Sequence, residues 1–221
     1  YGMGGTIRTT LNLAGHLVAG ATTITNGVGA NDVVTVAGGS LTTRSLVINN
    51  ASGTFTRNTG TGQLFISVAF TNAGTVTVST GELRIQSGSS TGTVNGAAST
   101  TVSIVGNFSV TAGTFAAATL TLPSGTIDMT PATYSATTVN LSGATFNLNK
   151  ASAASNWNQS GGTLAGSGNV TISSGKTYSW TGGSMGGTGT TTVAAGGTLS
   201  IGGNVVLGRV LTNNGTVTWT S

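Results

Sequence analysis

Short runs of alternating apolar and polar residues recur along the whole chain. Clear examples are TVTV at residues 75–78, TLTL at 119–122 and TVTW at 216–219. Glycine, asparagine and serine separate these runs. Alternation with a period of two places one row of side chains inside and the other outside, so the pattern predicts short β-strands joined by tight turns. No window keeps a helical period, and we therefore predict an all-β chain with almost no helix.

An internal repeat gives these strands a common period. Residues 161–180 (GGTLAGSGNVTISSGKTYSW) align without gaps with residues 182–201 (GGSMGGTGTTTVAAGGTLSI). The alignment pairs Leu164 with Met185, Ile172 with Val193 and Trp180 with Ile201. Strands and turns repeating every ~20 residues are typical of a solenoid, in which each coil buries its apolar row against the next. We therefore predict a single β-solenoid domain over residues 1–221, a parallel β-helix with about 20 residues per coil, and keep a β-sandwich as the alternative.

The composition fits a folded β chain that carries little charge. Only 5% of the 221 residues are charged, against about 25% in an ordinary soluble domain. The chain is nevertheless rich in Val, Ile and Thr, which suit a pleated and half-buried surface. It has 37 glycines and no cysteine, so disulfides and thiolate metal sites are excluded.

The positive charge of the chain is scattered. The net charge of +4 and the pI of about 10.2 come from seven cations set against three acids. No two cations are close in sequence, whereas a nucleic-acid surface needs clustered Lys and Arg. No segment reaches the ~18 apolar residues that a membrane-spanning helix requires. We expect neither a nucleic-acid partner nor a membrane-spanning segment.

The residues that could support catalysis are few and isolated. The acids are Asp32, Glu82 and Asp128, and His16 is the only histidine. A glycosidase needs two carboxylates beside one bond, and a zinc site needs several ligands. We therefore expect no catalytic residue, no metal and no cofactor, although a β-helical polysaccharide lyase is the enzyme alternative. Glu82 and Arg84 lie two residues apart on one strand face, which predicts a weak ion pair.

Aromatic residues offer a possible sugar-binding platform. Because Trp180 aligns with Ile201, we predict instead that Trp180 and Trp219 point into the core, while Trp157 stays open between the two roles. The aromatic candidates for the platform are Trp157, Trp180, Trp219, Tyr1, Tyr134 and Tyr178.

Three stretches of the chain, residues 53–88, 161–175 and 208–219, resemble a known class of repeats. The class is the β-solenoid repeats of large secreted bacterial surface proteins, which include filamentous-haemagglutinin-like and autotransporter-type adhesins. The resemblance implies a right-handed parallel β-helix, an extracellular location at the cell surface, and a scaffold or adhesive role. It brings no catalytic motif.

These observations favour a structural role over a binding role. We expect a building block that assembles with itself, head to tail, into an extracellular filament, stalk or sheath. The alternative is an adhesin, or a module that binds glycan or other cell-surface material. Strand-like sequence begins and ends the chain, so the residues expected at the assembly ends are Ile7, Leu11, Leu13, Val217 and Trp219.

Ice binding is a third hypothesis. It rests on Thr-x-Thr triplets, which would have to stack in register on one flat face, and their unequal spacing along the chain argues against such stacking. The triplets begin at Thr54, Thr75, Thr119, Thr190 and Thr216.

Overall fold

The computed structural model describes residues 53–220 except residues 59 and 154, together with the backbone of six strands between residues 11 and 48. These described residues form β-strands and turns, without a helix. In chain order the strands are β1 (Leu11–Ala14), β2 (Leu17–Val18), β3 (Thr23–Asn26), β4 (Val33–Gly38), β5 (Leu41–Thr42), β6 (Ser45–Ile48), β7 (Thr54–Arg57), β8 (Gln63–Asn72), β9 (Thr75–Val78), β10 (Glu82–Ser90), β11 (Thr93–Gly96), β12 (Thr101–Ile104), β13 (Phe108–Val110), β14 (Thr114–Leu122), β15 (Thr126–Met129), β16 (Thr133–Leu141), β17 (Thr145–Leu148), β18 (Ser152–Ala153), β19 (Asn156–Gln159), β20 (Thr163–Ala165), β21 (Val170–Ile172), β22 (Thr177–Trp180), β23 (Gly183–Met185), β24 (Thr190–Val193), β25 (Thr198–Gly202), β26 (Val205–Leu207), β27 (Val210–Asn213) and β28 (Thr216–Thr220).

The strands stack in three parallel ladders along the solenoid axis. The first ladder contains β1, β4, β7, β9, β11 and the first halves of β14 and β16, and in the later coils the four-stranded sheet β18–β21–β24–β27 takes its place. The second ladder contains β2, β5, β12, β19, β22, β25 and β28, with the first halves of β8 and β10 and the second halves of β14 and β16. The third ladder contains β3, β6, β13, β15, β17, β20, β23 and β26, with the second halves of β8 and β10.

The predicted β-solenoid and its period are confirmed. Parallel strands stack in about nine turns, with about 19 residues between successive turns. The internal repeat maps onto this stacking residue by residue, because Leu164 pairs with Met185, Ile172 with Val193 and Trp180 with Ile201. The right hand of the helix stays a prediction.

Inward side chains form continuous apolar columns along the axis. Each column fills the interior with residues that no single coil could bury alone. One buried column of the second ladder consists of Leu64, Leu83, Val102, Leu120, Val139, Trp157, Tyr178 and Leu199.

Aromatic rings form a connected chain through the middle of this core. It joins rings from all three ladders, with centroid distances from 5.3 to 6.4 Å. The closest contact is the parallel stack of Trp157 on Tyr178, at 5.3 Å. Such pairs contribute about 0.5–1.5 kcal/mol beyond the area that they bury. The rings in order are Phe115, Tyr134, Phe146, Trp157 and Tyr178.

The core also holds polar groups with specific partners. The hydroxyl of Tyr178 donates to Oε1 of Gln159 at 2.7 Å, and Nε2 of Gln159 donates to the carbonyl of Ser184 at 2.9 Å. Near the other end of the fully described part, the Arg57 side chain is only 1% exposed. It donates to the carbonyl of Gly62 at 2.6 Å, and burial lowers its pKa.

Candidate functional site

The last described coil leaves the apolar core open. On the second ladder Val217 pairs with buried Leu199, and Trp219 pairs with buried Ile201. Val217 and Trp219 therefore occupy core positions, but they are 37% and 72% exposed. The prediction that Trp219 is an inward residue is correct for its register and wrong for its burial, because no further coil of the described residues lies over it.

The other two ladders end in the same way. On the third ladder Leu207 pairs with buried Met185 and is 47% exposed. In the four-stranded sheet Leu211 pairs with buried Thr191 and is partly exposed. The inward residues of this coil form one uncovered surface, which we call the apolar end and which consists of Leu207, Leu211, Val217 and Trp219.

A buried arginine supports the apolar end from below. Arg209 reaches back along the axis, where its Nε donates to the carbonyl of Gly189 at 2.9 Å and its Nη2 donates to the carbonyl of Gly168 at 2.7 Å. A Cβ at Gly189 would lie 2.2 Å from the backbone carbonyl oxygen of Gly168, so the corner requires glycine. Burial lowers the pKa of Arg209, while the nearby Tyr178 acts in the opposite direction. Arg209 thereby ties the last coil to the two coils before it.

The other residues predicted at the assembly ends are Ile7, Leu11 and Leu13. Leu11 and Leu13 lie in β1, which pairs with β4, with Leu11 beside Val34 and Leu13 beside Val36. Their side chains are outside the description. Ile7 lies outside the described residues.

The acidic residues that the structure describes lie on separate ladders. Glu82 is on the second ladder and accepts a hydrogen bond from Gln63 at 3.1 Å. Asp128 is on the third ladder and accepts one from Asn147 at 2.6 Å. The Arg84 guanidinium lies over the ring of Phe65, 5.3 Å from its centroid. Glu82 and Arg84 thus both contact side chains of the preceding coil. His16 and Asp32 lie outside the described residues.

The described aromatic side chains do not form a sugar platform. Trp180 is buried as predicted, and Trp157 is also buried, which decides its open role in favour of the core. Tyr134 and Tyr178 belong to the same interior. Trp219 is the exposed aromatic residue of the described chain, and Tyr1 lies outside the description.

The Thr-x-Thr triplets do not all lie on one face. Thr54 and Thr75 are direct partners on the first ladder. Thr119 and Thr216 both lie on the second ladder, whereas Thr190 lies in the four-stranded sheet. The prediction that the five triplets do not stack in register on one face is therefore confirmed.

Sequence signals for the apolar end are only partial. The alternating run of β28 identified Val217 and Trp219, but Leu207, Leu211 and Arg209 were missed. The sequences of β26 and β27 are similar to those of strands in the inner coils. Only the position of these two strands in the stack shows that their inward residues are exposed.

Comparisons with protein-family models, curated proteins and solved structures find no match to this chain. Among the described residues, no helix is long and apolar enough to cross a membrane. No group of three potential metal ligands gathers within the same residues.

Proposed function

We propose that this chain is a structural protein of the bacterial cell surface that assembles head to tail into an extracellular filament, stalk or sheath. The observation that carries the proposal is the apolar end, where core residues in perfect register with buried partners are open to solvent. Exposed apolar surface of this kind is typical of interaction sites.

A second copy of the chain is the occupant that we propose for the apolar end. Inside the solenoid, each coil covers the one before it through backbone pairing and matched apolar columns. The strands β26, β27 and β28 end their ladders among the described residues and carry a free backbone edge. The strands β1, β2 and β3 of another copy belong to the same three ladders and are the proposed continuation of them. Such a contact joins unlike surfaces and does not close, so it generates a filament.

Charge does not oppose this contact. The only charged side chain in residues 205–220 is Arg209, which is 7% exposed and bound to two carbonyls of inner coils. The apolar end can therefore be covered without desolvating an exposed ion of its own.

The proposal includes no catalytic activity. Glu82 and Asp128 are held by amide side chains on different faces of the solenoid, and they lack the shared position beside one bond that paired carboxylates need.

The test compares two variants of β28. Val217→Lys combined with Trp219→Lys places two charges in the apolar end, whereas Thr218→Lys places one charge between them on the outer face. We expect both variants to keep the β-type circular dichroism of the parent. Only the double variant should lose the axial assemblies that electron microscopy and light scattering detect for the parent at micromolar concentration.

Two results would refute head-to-tail assembly. One is a parent chain that remains monomeric at micromolar concentration without axial stacking, which would favour the adhesin alternative. The other is assembly that the double variant leaves intact, because the polymer contact would then lie elsewhere.

A further inference from the structure

The outer face of the second ladder carries a regular array of hydroxyl and amide side chains. Seven neighbouring strands of this ladder, β12, β14, β16, β19, β22, β25 and β28, each place two such residues at outward positions of the alternation, although Ser103 at the first strand is only 4% exposed. We call this array the hydroxyl face. Its first column consists of Thr101, Thr119, Thr138, Asn156, Thr177, Thr198 and Thr216, and its second column consists of Ser103, Thr121, Asn140, Asn158, Ser179, Ser200 and Thr218.

The two columns form a two-dimensional lattice. Every pair of neighbouring strands on this face is parallel and in register, without a bulge between the paired residues. Parallel strands lie about 4.8 Å apart, and residues two apart on a strand lie about 6.6 Å apart. The face is therefore a nearly rectangular grid, roughly 30 Å long.

The hydroxyl face carries no ionic group. Its fourteen members are all Thr, Ser or Asn, and the charged pair Glu82 and Arg84 stands one coil below, where the array begins. Most of its hydroxyls also make no side-chain hydrogen bond to other described residues. Within the described residues, the side-chain hydroxyls of Thr119, Thr138 and Thr177 have no protein hydrogen-bond partner, so their protons and lone pairs are available to solvent.

Neither a protein nor a sugar matches this face well. The centres of protein interfaces are enriched in aromatic residues, Met and Arg, which this grid lacks. An aromatic platform on which a sugar ring could stack is also absent from these fourteen residues, and the neighbouring rings of Trp157 and Tyr178 are buried. A rigid and uncharged grid of hydroxyls instead matches a partner that is itself a lattice of hydrogen-bonding oxygens.

We propose that the hydroxyl face binds the surface of ice. The hydroxyls hold a first layer of water at the spacing of the grid, and the threonine methyl groups limit the orientations of the water between them. Each contact contributes little free energy, because a hydroxyl that bonds to ice gives up a hydrogen bond to liquid water. Binding comes from many contacts on one rigid surface, because the solenoid has already fixed their geometry and little ordering cost remains.

The test uses two threonines of the same strand. Thr138 lies in the second half of β16, on the third of the seven strands of the hydroxyl face, and Thr133 lies in the first half of β16, on the first ladder. We expect the full chain to inhibit ice recrystallisation and to partition into a growing ice hemisphere. Thr138→Lys places a long charged side chain between the hydroxyl face and the ice surface. It should raise the protein concentration needed to inhibit ice recrystallisation by about tenfold or more, as for a residue well inside a contact surface. Thr133→Lys should leave it unchanged.

Circular dichroism and thermal melts of both variants confirm that each is folded. Absence of recrystallisation inhibition by the parent chain overturns the proposal, and so does an equal loss in both variants or a loss confined to Thr133→Lys. Binding to crystalline cellulose or chitin without any effect on ice would assign the face to a polysaccharide instead. Since Thr138 lies away from the apolar end, loss of ice binding with intact filaments separates this proposal from head-to-tail assembly.

Discussion

Removing one oxygen atom from either of two buried tyrosines should have opposite consequences for stability. Tyr178 is fully buried, and its hydroxyl donates to Oε1 of Gln159 at 2.7 Å. Tyr134 is 8% exposed, and its hydroxyl has no hydrogen-bond partner among the described residues. Tyr178→Phe therefore breaks a buried hydrogen bond, whereas Tyr134→Phe removes a buried polar group that gains nothing from its position.

The expected magnitudes follow from these partners. Tyr178→Phe leaves Oε1 of Gln159 buried without its donor, and such a group costs about 1–3 kcal/mol of the free energy of unfolding. Tyr134→Phe should be neutral or stabilising, because an unpaired buried hydroxyl costs about 1–3 kcal/mol in mutational studies. Both rings keep their aromatic contacts, with Phe115 and with Trp157.

Urea unfolding followed by circular dichroism measures the difference. Solenoids can unfold in more than one step, so the shift in midpoint should be compared with amide hydrogen exchange in the affected coils. A double-mutant cycle with Gln159→Leu isolates the hydrogen bond. We expect Tyr178→Phe to add little once Gln159 is replaced, because the orphaned acceptor is gone.

Equal destabilisation by the two tyrosine variants would refute this reasoning. It would mean that the hydroxyl of Tyr134 has a partner in solution, such as a buried water, or that the Tyr178 bond contributes nothing. A cycle without coupling between Tyr178 and Gln159 would refute the second part separately.

Three further predictions test other parts of the core. Burial raises the pKa of both buried tyrosines above the ordinary value of 10.0. The folded chain therefore keeps full stability below pH 10 and loses it as the pH rises further, because only unfolded tyrosines ionise there; absorbance of phenolate should appear together with unfolding. Arg209→Met should cost about 1–3 kcal/mol, since it leaves buried carbonyls unpaired, while Arg84→Met on the outer face should cost under about 1 kcal/mol in the same urea assay. Trp157→Ala should cost about 3–5 kcal/mol, and Trp219→Ala about 0.5 kcal/mol or less in calorimetry of dilute single chains.

The sequence was sufficient to predict the architecture because its signals were local. Period-two alternation identifies strands, and the gapless alignment identifies the stacking partner of Trp180 as Ile201, which the structure confirms. The first signal lies within one strand, and the second links residues one coil apart. The core position of Trp157 was left open because Trp157 itself lies outside the aligned residues 161–201, so that its partner Tyr178 was not identified.

The face of the solenoid on which a residue lies could be assigned only from the structure. In β16 the buried positions change from Tyr134 and Ala136 to Val139 and Leu141, so the parity of the alternation switches where the strand turns from the first ladder to the second. A sequence pattern cannot distinguish such a corner from an irregular strand. The outward columns of Thr, Ser and Asn on the second ladder were missed for this reason. The number of residues per coil varies, whereas equivalent residues still pair from one coil to the next.

Buried arginines were missed because a charged residue in the sequence is read as a solvated one. Arg57 binds the carbonyl of Gly62 in the turn that follows it, whereas Arg209 binds carbonyls of two earlier coils, which only the stacking brings within its reach. Their burial also changes the meaning of the basic pI. Two of the seven cations do not contribute to the surface, which makes the solenoid even less charged outside than its composition implies.

A low surface charge and an open end have a common consequence. Most β proteins protect exposed edges with charged side chains, prolines or a covering element, because free backbone groups and apolar rows recruit other chains. The apolar end carries none of these devices among the described residues, and its one cation, Arg209, is turned inward to stabilise the stack. Within the described residues, nothing at the apolar end therefore opposes the head-to-tail association that we propose. If two solenoids stack there as the coils stack within one, the strength of their association should depend on the apolar row of Leu207, Val217 and Trp219 rather than on salt concentration.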